Sequence, residues 1–71
     1  MSKNKKKYKL INMLDEKGSN QIKLAELLDI SYPAIQNKIN GRSEFKADEI
    51  AKIKETYNLT LEEVEDIFFE G

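Results

Sequence analysis

The chain has 71 residues, 39% hydrophobic and 35% charged, with a formal net charge of -1 and a mean hydropathy of -0.65. These figures suit one small globular domain whose core contributes only ~3–5 kcal/mol net, which leaves little room for an enclosed substrate pocket. With no cysteine and no histidine, disulfides, thiol catalysis, cysteine–zinc sites and a histidine base are excluded.

The spacing of apolar residues and turn signals predicts five short helices in an all-α bundle. Residues 1–6 read as a flexible basic tail ahead of a domain over 7–71. The first helix runs from about Lys7 to Lys17, where Leu10, Ile11 and Leu14 share one face and Gly18 supplies the stop. Asn20 caps a second helix over Gln21 to Leu28, with Leu24, Leu27 and Leu28 inward. Asp29 and Ile30 form a tight turn. Ser31 caps the third helix, from Tyr32 to about Asn40, with Pro33 in the first turn, where a missing N–H costs nothing. Ile35 and Ile39 are its inward edge, and Asn40-Gly41 is its stop. Phe45 drops into the core from the following loop. A fourth helix spans about Ala47 to Tyr57 and buries Ile50, Ala51, Ile53 and Tyr57, without a good cap at Lys46. Thr60-Leu-Glu-Glu63 is a capping-box pattern that opens a fifth helix to Phe69, with Leu61, Val64, Ile67 and Phe68 as its stripe.

Charge is unevenly spread. Residues 1–9 carry five lysines and no acid, residues 31–46 sum to +2, and residues 47–71 sum to -6. This polarises the field of the molecule without making the whole chain basic. Glu62, Glu63, Glu65 and Asp66 form a solvated outer face, since no calcium-loop glycine accompanies them. No apolar run nears the ~20 residues that span a bilayer, and no signal-peptide apolar stretch follows the lysines. A reducing cytoplasm is the expected location.

The functional signal lies in helices two and three. So short a connection forbids an antiparallel pair and makes the helices cross steeply, as in a helix-turn-helix. With Ile35 and Ile39 inward, the third helix shows Tyr32, Pro33, Gln36, Asn37 and Asn40 to solvent. That face has no acid. Asn and Gln amides give one hydrogen bond and accept another, which matches adenine in a major groove, and Tyr32 can donate to a phosphate or cover a thymine methyl. Asn20 and Gln21 open a helix whose free N–H groups suit a phosphate. Arg42, the only arginine, follows the third helix with Ser43 and Lys46. A plainer account exists for each: ordinary surface amides, simple capping by Asn20, and a weak loop pair of Arg42 with Glu44.

The stretch from Asn20 to Arg42, with Gln21, Leu24-Ala25, Ile30-Ser31, Ile35 and Asn40-Gly41-Arg42 in order, resembles the helix-turn-helix domain of phage repressor and Cro-like (XRE-type) regulators. The likeness continues less sharply through Phe45, Glu49 and Ile50 to Phe69. It implies a lambda-repressor-like five-helix DNA-binding domain. It places Tyr32, Pro33, Gln36 and Asn37 against bases, and Asn20, Gln21, Asn40, Arg42, Ser43 and Lys46 against phosphates. It also implies a dimer on a near-palindromic operator, its half-sites about one helical turn apart. Departures are visible. Asp29 stands where the family prefers glycine, Ser19 replaces an apolar residue, and Pro33 removes an amide used in base contact. Lys38 occupies a position often apolar, where its stem lies on the core and its ammonium reaches for phosphate.

Two functions follow as expectations. The first is a sequence-specific regulator of double-stranded DNA with no catalysis, cofactor, metal or small-molecule substrate. The second is a protein-interaction, adaptor or antitoxin module on the same fold. Ile67, Phe68 and Phe69 are three consecutive large apolar residues, more than one narrow helical face can bury. An exposed Phe69 would offer a contact for a homodimer.

Overall fold

The computed structural model describes residues 5–69. It contains α1 (Lys5–Glu16), α2 (Gln21–Leu28), α3 (Tyr32–Ile39), α4 (Ala47–Thr56), α5 (Leu61–Val64) and a π-helical turn (Glu65–Phe69) that continues α5. The first helix begins two residues before the expected start, so Lys5 and Lys6 are helical. The rest of the expected tail, and the C-terminal Glu70 and Gly71, lie outside the described residues.

Four helices end in the same way, and the repetition explains how so short a chain turns so often. After α1, α2, α3 and α4 one residue takes the left-handed conformation: Gly18, Asp29, Gly41 and Asn58, with φ of 72, 58, 83 and 56°. The next amide then reaches back to a carbonyl five residues earlier. Ser19 N–H donates to Leu14 O (2.8 Å), Ile30 to Ala25 (3.0 Å), Arg42 to Asn37 (2.8 Å) and Leu59 to Lys54 (2.9 Å). These are the 6→1 bonds of Schellman motifs, which satisfy carbonyls that a helix end leaves open. Two helix starts are capped as their sequences indicate. Asn20 Oδ1 accepts from Lys23 N–H (2.9 Å) and Ser31 Oγ from Ala34 N–H (3.2 Å). At α5 the capping box is complete, with Glu63 accepting from Thr60 N–H and Thr60 from Glu63 N–H. Lys46 offers no acceptor, and Glu49 supplies half of the box instead, accepting from Lys46 N–H at 2.9 Å.

One core joins all the helices. Leu14, Leu24, Ile35 and Ile53 are completely enclosed, and Leu10, Met13, Ala25, Leu28, Ile39, Leu59, Val64, Ile67 and Phe68 complete the cluster. Phe45 packs half-buried on its edge, T-shaped against Phe68 with ring centroids 5.3 Å apart. Two assignments are corrected. Ala51 is exposed, because the inward line of α4 runs through Ile50, Ile53 and Tyr57. Leu61 is 72% exposed, and Leu59 in the preceding turn enters the core in its place. The π turn resolves the crowding of Ile67, Phe68 and Phe69. Its wider winding lets Ile67 and Phe68 both face inward and leaves Phe69 64% exposed.

Candidate functional site

The packing of Ile35, with no exposed surface, and of Ile39 fixes the roll of α3 about its axis. Every other property of its outer face follows from that roll. Tyr32 is 49% exposed, Ser31, Pro33 and Asn37 are exposed, and Gln36 and Asn40 are half-buried. No carboxylate lies between Ser31 and Arg42. The face therefore carries hydrogen-bonding amides, a phenol and a proline ring, with no charge that repels phosphate.

The start of α2 adjoins this face. The Gln36 side-chain N–H donates to Gln21 Oε1, joining the two helices amide to amide. The pair limits the rotamers of both side chains and leaves Gln21 with N–H protons, and Gln36 with a carbonyl oxygen, for an outside partner. Asn20 uses its side-chain oxygen on the cap and keeps its side-chain N–H protons. Beyond α3, Gly41 turns the chain so that the amides of Arg42 and Ser43 both point to Asn37 O, at 2.8 and 3.3 Å. Arg42, Ser43 and Lys46 are exposed. Among the described residues Arg42 makes no ion pair with Glu44 or any other acid. The structure thus brings Gln21 and Gln36 into contact, with Asn20 at the cap of α2, Tyr32, Pro33 and Asn37 exposed on α3, and Asn40, Arg42, Ser43 and Lys46 on the segment that follows it.

Lys38 is directed elsewhere. Its side chain is 10% exposed and its ammonium lies 3.1 Å from Glu49 Oε1. It also donates to the Glu44 carbonyl at 3.0 Å and sits 5.8 Å from the centroid of the Phe45 ring. The stem lies inward as the sequence indicates, but the charge is engaged within the molecule. The sequence reading missed Glu49 as its partner. The available signal was a lysine at a commonly apolar position with an acid in the first turn of the next helix. Lys9 is likewise engaged, 2.5 Å from Asp66.

Among the described residues no group of three carboxylates is placed to hold a metal ion, and no helix is long and apolar enough to cross a membrane. A groove of about 380 Å³ lies behind the segment following α3 and is lined by Leu10, Ile39, Phe45, Ile50, Phe68 and Phe69 among others.

A family model described as helix-turn-helix matches residues 10–64, which contain the second half of α1, all of α2 through α5 and the whole of the site. No curated protein and no solved structure matches the chain.

Proposed function

The chain belongs to the XRE/Cro-C1-type helix-turn-helix family of DNA-binding regulators, and from that premise we propose that it is a sequence-specific regulator of the phage repressor or Cro type, binding a near-palindromic operator as a dimer. The observation that carries the reading is the outer face of α3: amides, a phenol and no acid, on a helix whose opposite side is locked into the core. In the proposed complex α3 enters the major groove. Asn37 and Gln36 read base edges, with Tyr32 and the Pro33 ring covering apolar ones such as a thymine methyl. Asn20 and Gln21 meet phosphate at the start of α2, where the Gln21 N–H protons not used on Gln36 are available. Asn40, Arg42, Ser43 and Lys46 hold the backbone beyond α3. Lys38 contributes no direct phosphate contact in this reading, because its ammonium is already engaged.

Size and one side chain support the dimer. The fold measures 29 × 25 × 22 Å along its principal axes, so one copy with one recognition helix covers a single half-site. Two half-sites separated by ~34 Å along the groove require two copies. Phe69 stands exposed beside the groove that it helps to line, and a second copy offering the same patch would cover it reciprocally.

Selection of bound duplexes from a random library tests the proposal, the expected product being a repeated half-site spaced near one turn. On the selected site, Asn37→Ala costs ~1–3 kcal/mol and relaxes preference at one base pair. Arg42→Ala and Lys46→Ala weaken all duplexes alike and flatten the salt dependence by about one unit each. Wild-type binding that these three substitutions leave unchanged refutes the assignment. An absence of duplex binding at low salt and micromolar protein returns the chain to the adaptor class.

A further inference from the structure

Resting on the DNA-binding reading, we propose that Lys38 and Glu49 are positioning residues for the phosphate-holding segment Asn40–Lys46: their ion pair sets the geometry in which Arg42, Ser43 and Lys46 meet the DNA backbone, and neither touches DNA. Three observations converge. The pair is nearly enclosed, with side chains 10% and 13% exposed, where charges are held only if their partners are in place. Its bonds span the segment at both ends. Glu49 Oε1 takes the Lys38 ammonium from α3 and the Lys46 N–H that starts α4, while the same ammonium holds the Glu44 carbonyl in between. The segment has few other anchors. After the turn at Gly41 and the two amides bonded to Asn37 O, Arg42, Ser43, Glu44 and Lys46 are all exposed, and Phe45 alone reaches the core edge. A loop lying mostly on solvent, with its mid-point carbonyl tied to a buried cation, owes its shape to that cation.

The charge on Glu49 makes the proposal sharp. Removing a carboxylate near DNA ordinarily strengthens binding, because phosphate repulsion falls. It would strengthen binding further if it freed Lys38 to contact phosphate. Positioning demands the opposite sign. Glu49→Gln keeps the shape and an oxygen acceptor for Lys46 N–H but removes the negative charge that pairs with the ammonium. It is expected to bind the selected operator ~10-fold more weakly than wild type. Its salt slope should flatten by about one unit as the Arg42 or Lys46 contact is lost, although the variant is more positive. Lys38→Met should show a similar loss, and the double variant should bind no more weakly than the weaker single one. Adding Arg42→Ala to Glu49→Gln should cost little beyond Glu49→Gln alone.

Anisotropy titrations over a range of salt, with thermal unfolding and amide exchange on the same proteins, decide it. The expected exchange pattern is faster amides at Gly41, Arg42 and Ser43 with those of α1 unchanged. Should Glu49→Gln prove too unstable, Lys38→Met with its exchange pattern and its Arg42 cycle carries the test. Glu49→Gln binding as tightly as wild type or more tightly overturns the proposal and returns Lys38 to the phosphate contacts. Weakening that only tracks the unfolded fraction, with exchange raised throughout, overturns it as well and leaves the pair a stability element. These outcomes differ from failure of the underlying reading, in which wild type does not bind or Arg42→Ala binds unchanged; the proposal falls with it.

Discussion

Asp29→Gly should stabilise the domain, and the structure gives the size of the effect. Asp29 holds φ 58° and ψ 44° in the turn that sets the crossing of α2 and α3. A left-handed residue with a side chain costs ~1–2 kcal/mol, less for Asp than for most, and glycine escapes that cost. Asp29 also puts a negative charge at the C-terminal end of α2, where the helix dipole is negative too, at ~0.3–1 kcal/mol in low salt. Against these gains, glycine frees the unfolded chain by ~0.4–1 kcal/mol. The Asp29 side chain is exposed and no hydrogen bond from it offsets the strain among those of the described residues. The net expectation is ~0.5–1.5 kcal/mol of added stability, or a rise of several degrees in Tm for a domain of this size. Urea and thermal unfolding at two salt concentrations measure it. Asp29→Asn separates the terms: it keeps the tolerance of the left-handed conformation, removes the charge, and should recover only the part that fades with salt. A lower Tm for Asp29→Gly, with Asp29→Asn unchanged at low salt, would refute both the strain and the dipole argument.

Two further outcomes are expected. Ser19 Oγ and Tyr57 Oη lie 2.8 Å apart in a partly buried site, so Tyr57→Phe and Ser19→Ala should each lower stability by ~0.5–1.5 kcal/mol, and the double variant by scarcely more than one of them in a denaturant-unfolding cycle. Phe69→Ser should leave monomer stability within ~0.5 kcal/mol of wild type, as for other exposed sites, while sedimentation shows loss of the dimer; a variant that dimerises as wild type does would remove Phe69 from the interface.

Local chemistry was legible in the sequence, and pairings across the chain were not. Asn20 and Ser31 cap the helices they were expected to cap, α2 has the expected bounds, and the inward faces of α2 and α3 are those that their spacing implies. Each of these depends on residues within four positions of one another. The Ser19–Tyr57 bond spans 38 positions and the Lys38–Glu49 pair joins two helices; a polar residue at a core position announces that it needs a partner without saying which. Ser19, which stands in place of an apolar residue, is met by the Tyr57 hydroxyl. Leu59 was missed because helical periodicity has no meaning in the short connection between α4 and α5. The signal that could have found it is Asn58, a left-handed stop, after which an apolar residue commonly packs back on the helix it ends. The π turn also escaped, since its only trace in the sequence is an excess of apolar residues over what an α-helical face can bury.

An acidic chain that binds DNA is less paradoxical once its charges are placed. Residues 47–71 hold eight of the thirteen acids, and the one that faces α3, Glu49, is matched by Lys38 inside the molecule. Neutralising each other, those two remove themselves from the long-range field and leave Arg42 and Lys46 as the cations of residues 31–46 that remain exposed. In the proposed complex the phosphate grip is therefore thin and amide-rich. Non-specific affinity scales with the number of phosphates that cations neutralise, whereas discrimination between sites comes from Gln36, Asn37, Tyr32 and Pro33, which carry no charge. Fewer cations lower the affinity for every duplex alike, the selected site included, so the ratio between sites is left to the base-contacting side chains. In that complex the exposed Glu62 and Glu65 add orientation, because phosphates repel them. On this account a low isoelectric point lowers the affinity for all duplexes and, in the proposed complex, leaves discrimination to the uncharged face of α3.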